Sequence, residues 1–392
     1  MKLICDRAAL LNAVNLVSGA VAARSPKVQL TCVRLTARKP EGKGSKSPGA
    51  ITLSATDGEV ALRLTRTQVE VQDGGELLIP GDRLRAIVSA EDAEPTLTLE
   101  SEQDVCHIRG RDAKFKVFGY PAADFPPAPD FPRDDAGADV FTVKAETLAR
   151  LIGRTLFSTA RETSRYAING VLLKRSGKKI EMVATDGRRL ALARGLAETA
   201  SSTGEAESSC IIASKALGLL ARLLSDAEAQ VRVAITANQI IFAIDDDAGD
   251  ATVLAGNLVE GTFPPYEDVI PKDQDKRARF DVHVLSSAVR RAALLTNEDS
   301  RGVRLSFTDA KGGSKLKLSS RAPEMGESEI DVEMEGYEGE AIDIGFNPTF
   351  IVDALKVVPE EQVILEMKAP NKPGLIKSGS DFLYVVMPVN LQ

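Results

Sequence analysis

Apolar and polar positions follow two periods along this chain, and both recur three times. Apolar residues at i, i+3, i+4 and i+7 predict amphipathic helices over Cys5 to Val21, Val143 to Ala160 and Val282 to Asn297, each after a short extended lead-in. A second helix recurs over Pro80 to Ala90, Ala213 to Leu224 and Asn347 to Val358. Asp82, Ser214 and Asn347 stand near these starts, where a side-chain oxygen can cap free amide groups. Elsewhere, runs such as VQLTCVRLTA, VRVAITANQIIFAI, VRLSFTDA and FLYVVMP alternate with period two and predict short strands separated by turn residues.

The recurrences lie about 130 residues apart, which is the length of a domain and not of a solenoid repeat. Between its two helices, the first repeat carries Ala55-Thr56-Asp57-Gly58 and the second carries Ala184-Thr185-Asp186-Gly187. Asp-Gly between alternating apolar runs signals a tight hairpin. In the third repeat Leu318-Ser319-Ser320-Arg321 takes that place. Proline-dense exits close the first two repeats: Asp124-Phe125-Pro126-Pro127 leading to Asp130-Phe131-Pro132, and Thr262-Phe263-Pro264-Pro265 leading to Asp268-Val269-Ile270-Pro271. Proline stops strand pairing, so the expected domains are 1–130, 131–271 and 272–392. Each is a strand-rich unit with two helices covering a sheet face, an α+β architecture in three tandem copies.

Composition removes several function classes. The 392 residues exceed one ordinary core. The chain lacks Trp and has 5% aromatic residues, so its cores are aliphatic. It has no apolar run of about 18 residues, which excludes a helical membrane span. MKLICDRAALLNAV at the N-terminus is strand then helix, not a signal peptide, and a cytoplasmic location is expected. Cys5, Cys32, Cys106 and Cys210 form no CxxC pair, and the only histidines are His107 and His283. That leaves no metal cluster at ligand spacing, no cofactor, and four reduced, mostly buried thiols. The segment Lys39 to Gly49 is a solvated hairpin loop, and its Gly-Lys-Gly-Ser misses the P-loop spacing. Ser201 to Ser209 is a flexible connection. Asp245-Asp246-Asp247 is a solvated turn before it is a cation site. Little remains from which to build a catalytic centre, so the chain is not expected to be an enzyme.

The formal net charge is -7, which argues against nucleic-acid binding unless basic residues are segregated. They are concentrated on the predicted helices. The first helices carry Arg7, Arg150, Arg154, Arg290 and Arg291, with Arg24 and Arg161 just beyond two of them. The second helices carry Arg83, Arg85, Lys215, Arg222 and Lys356. Each taken alone is a solvated helix-face residue. Together they suggest one positive surface that holds phosphates weakly, without sequence preference. No aromatic platform for single strands stands out, so duplex DNA is the better partner.

The three tandem units, the ATDG-R-RLA turn of the second, the PAADFP exit of the first and the terminal VVMP resemble the family of bacterial DNA polymerase III beta subunits over essentially the whole chain. The resemblance implies a DNA sliding clamp, a processivity factor. Two three-domain chains would join head to tail as a homodimer and close a six-domain ring around double-stranded DNA. The implied partners are the clamp loader, the replicative DNA polymerase and other proteins with clamp-binding linear motifs. The implied dimer contact sets Phe115 and Val117 against Leu294 and Leu295, though core packing also accounts for these residues. The implied peptide pocket comprises Ile168, Thr185, Gly187, Arg188, Arg189, Leu190, Pro264, Val269, Val385, Met387 and Pro388, flanked by Asn347 and Phe350. Leu190, Val269 and Val385 could equally be plain core. For DNA contact the resemblance points to Arg24 and to Arg161, Arg165 and Tyr166, alongside Arg150 and Arg154 from the helix pattern. The chain departs from the family at Asp268, a pocket-edge position often basic there, and at Val389-Asn390-Leu391 near the end. A different peptide preference is expected. The competing reading is a three-domain scaffold that binds partner peptides and never closes into a ring.

Overall fold

The computed structural model describes residues 1–40, 49–132, 137–160, 166–200, 207–246, 249–296, 302–310, 313–323 and 325–390. Arg161, Arg165, Asp247 and most of the two loops beginning at Lys39 and Ser201 lie outside the described residues. The chain forms two compact units. One is Met1–Ala149, Ala197–Ser208 and Lys215–Leu258; the other is Arg150–Leu196, Ser209–Ser214 and Val259–Gln392.

The first unit holds two antiparallel sheets. In the five-stranded one the order is Val69–Asp73, Lys2–Asp6, Thr96–Glu102, Val105–Arg109 and Lys114–Phe118. The nine-stranded one joins strands of the first and second repeats through Val60–Arg66 and Ala251–Asn257, with Leu62 opposite Leu254. The proline-rich exit is stapled down within this unit. Phe125 is buried with Cys32 and Leu78. Phe131 packs on Ala234, Ile241 and Ala255, with the Arg232 guanidinium 4.5 Å from its ring.

The second unit repeats the design. Its nine-stranded sheet joins the second and third repeats through Arg189–Leu196 and Phe382–Val386, and its four-stranded sheet ends on Gly326–Glu333. Sharing one hydrogen-bond ladder between repeats satisfies edge strands that would otherwise be open.

The six helices form where the periodicity places them, but shorter. They are α1 (Arg7–Val17), α2 (Gly81–Ala90), α3 (Ala145–Thr155), α4 (Ser214–Leu223), α5 (Val282–Ala292) and α6 (Pro348–Leu355). In α1 the buried stripe Leu10, Ala13, Val14 and Val17 has the expected helical spacing. The ends of the predicted first helices are instead separate 3-10 turns, Ser18–Ala20, Leu156–Ser158 and Ala293–Leu295. Hydrophobic spacing cannot distinguish an α-helix from a tightened last turn.

Capping follows the expectation at one of three positions. The Asn347 carboxamide accepts from Thr349 N at 3.0 Å. Asp82 lies inside α2, whose cap residue is Pro80, and accepts from Arg83 N. The Ser214 hydroxyl donates to Asn169 O instead. The first helices α1 and α5 have matching aspartate caps, Asp6 and Asp281, at 2.7 and 2.8 Å. Leu318-Ser319-Ser320-Arg321 is continuous strand within Gly313–Ala322, so the third repeat places its turn later.

Candidate functional site

The second ATDG turn builds one wall of a pocket in the second unit. Thr185 Oγ1 donates to Arg189 O at 2.7 Å and accepts from Gly187 N at 3.0 Å. Asp186 Oδ1 accepts from both Arg188 N and Arg189 N at 3.0 Å. Gly187 has φ +83° with open space around it, so backbone conformation, not crowding, favours glycine there. Thr56, Asp57 and Gly58 make the same bonds in the first unit.

The turn aims Arg189 across the site. Its guanidinium reaches Asp186 Oδ2 at 3.0 Å, Asp353 Oδ2 on α6 at 2.9 Å and Phe157 O at 2.9 Å. The Phe350 ring lies 4.5 Å away. Burial opposes the charge, and the carboxylates of Asp353 and Asp186 help to more than offset it. With each of its three nitrogens engaged in a hydrogen bond, Arg189 offers a partner mainly its flat face and stem.

Behind it lies a hollow of about 200 Å³ lined by Ile168, Thr185, Gly187, Arg189, Leu190, Pro264, Val269, Val385 and Met387, all anticipated, together with Tyr166 and Tyr266. Leu190 and Val385 face each other in register at the join of the two repeats. Both are buried in one cluster with Ala167, Leu172, Val183 and Tyr266. They are therefore core and pocket floor at once. Val269 and Met387, 44% and 37% exposed, form the rim.

The other anticipated pocket residues stand around the hollow. Arg188 has an exposed side chain, and its carbonyl accepts from Met387 N at 2.9 Å. Pro388 follows Met387 and is half-buried. Asn347 caps α6, and Phe350 meets the pocket through Arg189. Tyr266 was missed, although it lies two residues after Pro264 in the same exit motif. Its hydroxyl donates to Glu181 Oε1 at 2.5 Å and accepts from Lys174 Nζ at 3.2 Å. Burial, reinforced by Glu181, raises its proton affinity strongly. Tyr166, expected beside DNA, lines this hollow and is 40% exposed.

The basic candidates separate by exposure. Arg24, Arg83, Arg85 and Arg222 are exposed in the first unit, and Arg290 and Arg291 in the second. Arg154 is only 3% exposed, pairs with Asp381 at 3.0 Å and lies against the Phe382 ring. A phosphate cannot reach it, so Arg154 leaves the set of DNA candidates. Arg150 remains half-buried and also pairs with Asp381. Phe115 and Val117 are half-buried on the edge strand Lys114–Phe118. Leu294 is 71% exposed and Leu295 half-buried, in the turn after α5 rather than on the helix. All four cysteines are buried, and burial pushes the Cys5 and Cys106 thiols up to about 12. Among the described residues, no helix is long and apolar enough to cross a membrane.

Comparison with known proteins decides the family. The DNA polymerase III beta subunit family matches in three successive parts: its N-terminal domain over residues 1–129, its central domain over 142–265 and its C-terminal domain over 267–390. The chain belongs to the DNA polymerase III beta subunit family. It is 32% identical over 394 residues to the beta sliding clamp of Pseudomonas putida and 30% identical over 397 residues to that of Escherichia coli strain K12, covering 100% of each chain in both cases. Among solved structures, the DNA polymerase III subunit beta of Pseudomonas aeruginosa matches at TM-score 0.84 and 30% identity, again covering 100% of each chain. A sliding clamp from that organism bound to griselimycin matches at TM-score 0.86 and 30% identity, with the same coverage. Three tandem clamp domains are thus the architecture of this beta-subunit chain, with sheets running on from one repeat to the next.

Proposed function

We propose that this chain is a DNA sliding clamp that encircles duplex DNA as a head-to-tail homodimer and tethers the replicative polymerase, without chemistry of its own. Family membership over all three repeats is the observation that carries this reading. Domain boundaries near residues 130 and 271 accompany it, as does action in the cytoplasm.

Two sheet edges support ring closure. The edge strand Lys114–Phe118 exposes Lys114, Lys116 and Phe118. The edge strand Gly326–Glu333 exposes Glu327, Glu329, Asp331 and Glu333. Opposite charges on two open edges favour pairing between copies, and a head-to-tail contact that closes after two chains yields a ring. Phe115 and Val117 would meet Leu294 and Leu295 there. Arg24, Arg150, Arg161 and Arg165 remain the proposed DNA contacts, weak and salt-dependent. Retention on DNA then comes from topology.

The apolar hollow around Leu190, Val385 and Met387 is the proposed site for linear peptides of the polymerase, the clamp loader and other partners. Tyr166 and Tyr266 join that site. Methionine at the rim repacks easily, which suits a groove shared by several peptides.

The deciding experiment is retention on circular and linearised plasmid, with the host's clamp loader and ATP. Retention on circles that is lost after one cut confirms topological linkage. Equal retention on both forms would reduce the protein to an electrostatic binder or peptide scaffold.

A further inference from the structure

A second hollow, of about 410 Å³, adjoins the peptide pocket. Val269 and Met387 line both and form the divide between them. The two hollows differ in character. The first has one charged lining residue, Arg189, whose guanidinium is held by Asp186, Asp353 and Phe157 O. The second combines apolar walls, Ile270, Pro271 and Pro373, with Asp268, Asp273, Lys368 and Lys372.

Those four charges are not equally available. Lys368 is held by Asp275 at 3.1 Å and lies 4.0 Å from Asp273. The neighbouring Glu267 is held by Lys174 at 3.1 Å. Asp268 has no ion-pair partner among the described residues, and it directly precedes Val269 at the divide. Lys372 lies on the other loop, beside Pro373. An extended chain leaving the first hollow over the divide advances roughly 3.4 Å per residue. Of the two residues at the divide, Val269 alone has a charged neighbour in the chain, and that charge, on Asp268, is negative.

We propose that the second hollow takes the segment flanking the apolar anchor of the same partner peptide, and that this flank carries lysine or arginine opposite Asp268. The proposal rests on the reading of the first hollow as a peptide site. A long basic side chain suits both features of the second hollow. Its methylene stem covers Ile270 and Pro373 while its charged head meets the carboxylate.

The test uses the full chain and fluorescein-labelled peptides read by anisotropy. All share an anchor of two leucines separated by one serine, which places both leucines on one face of an extended chain. Tails of Gly-Ser, of two lysines or of two glutamates are added at either end. The expected result is a gain of about twofold to fivefold from lysines at one end only, screened by salt. In Asp268→Asn the ratio of lysine-tailed to neutral-tailed affinity collapses to one, and in Asp268→Lys the glutamate tail becomes the favoured one. Equal affinities for all tails, or a lysine gain that survives Asp268→Asn, would overturn the proposal while leaving the first hollow as a peptide site. If the neutral-tailed anchor does not bind at all, the peptide reading fails and this inference fails with it.

Discussion

Arg189 Nη1 lies 2.9 Å from Asp353 Oδ2, which ties the central repeat's tight turn to helix α6 of the third repeat. The two residues are 164 positions apart in sequence, and both side chains are largely enclosed. The same guanidinium holds Asp186 within its own turn. One side chain thus keeps the pocket wall against the helix beside it.

Arg189→Met keeps the stem and removes the ion pairs. It leaves Asp186 without its cation and Asp353 with Lys356 alone at 3.2 Å, and a loss of about 1–3 kcal/mol in unfolding free energy is expected. Peptide affinity should fall with it. Urea denaturation alongside anisotropy checks both; unchanged stability would show that the contact with Asp353 contributes nothing.

Floor and rim of the pocket should respond differently to truncation. Leu190→Ala opens a cavity in a packed cluster, costing about 2–4 kcal/mol of stability as well as peptide affinity. Met387→Ala acts on a 37% exposed rim residue and should weaken peptide binding with at most about 1 kcal/mol of destabilisation. Comparable stability losses in the two variants would contradict the division into floor and rim.

The proposed dimer contact places exposed Leu294 at its centre. Leu294→Asp should yield monomers in sedimentation velocity with an unchanged circular dichroism spectrum. For the unaltered chain, raising salt should increase the dimer dissociation constant, because the proposed edges carry opposite charges. A variant that stays dimeric moves the interface elsewhere.

Acid should destabilise the chain through specific carboxylates. Burial works against the charge on Glu366, but Lys377 at 2.7 Å and Arg277 at 2.8 Å outweigh it, so its carboxyl titrates below the usual range. Asp57 is lowered likewise; burial opposes its charge, while Lys215 and the turn amides favour it. Depressed folded-state values stabilise above the unfolded values, about 3.9 for Asp and 4.3 for Glu, and that contribution disappears as pH falls through the folded values. Stability should therefore be level near neutrality and decline below about pH 4. Glu366→Gln should lower the plateau and flatten the decline; an identical pH slope in both proteins would remove Glu366 from the account.

What the chain disclosed by itself was local or periodic. The i, i+3, i+4 and i+7 spacing marked six helices because a helix face repeats every few residues. Thr185-Asp186-Gly187 marked its turn because each of its hydrogen bonds closes within four residues. Much of the pocket was legible only through resemblance to a family, since Ile168 and Met387 share no local pattern. Tertiary structure decided the rest. Arg154 looks like any basic helix residue until Asp381, 227 positions on, encloses it. Tyr266 becomes a pocket wall only because Glu181 and Lys174 on neighbouring strands hold its hydroxyl. Leu190 and Val385 become a floor only when two repeats share one sheet in register. A residue type and its spacing fix the bonds a chain can make nearby. Whether a charge or a ring faces solvent, core or pocket depends on side chains that approach from distant parts of the sequence.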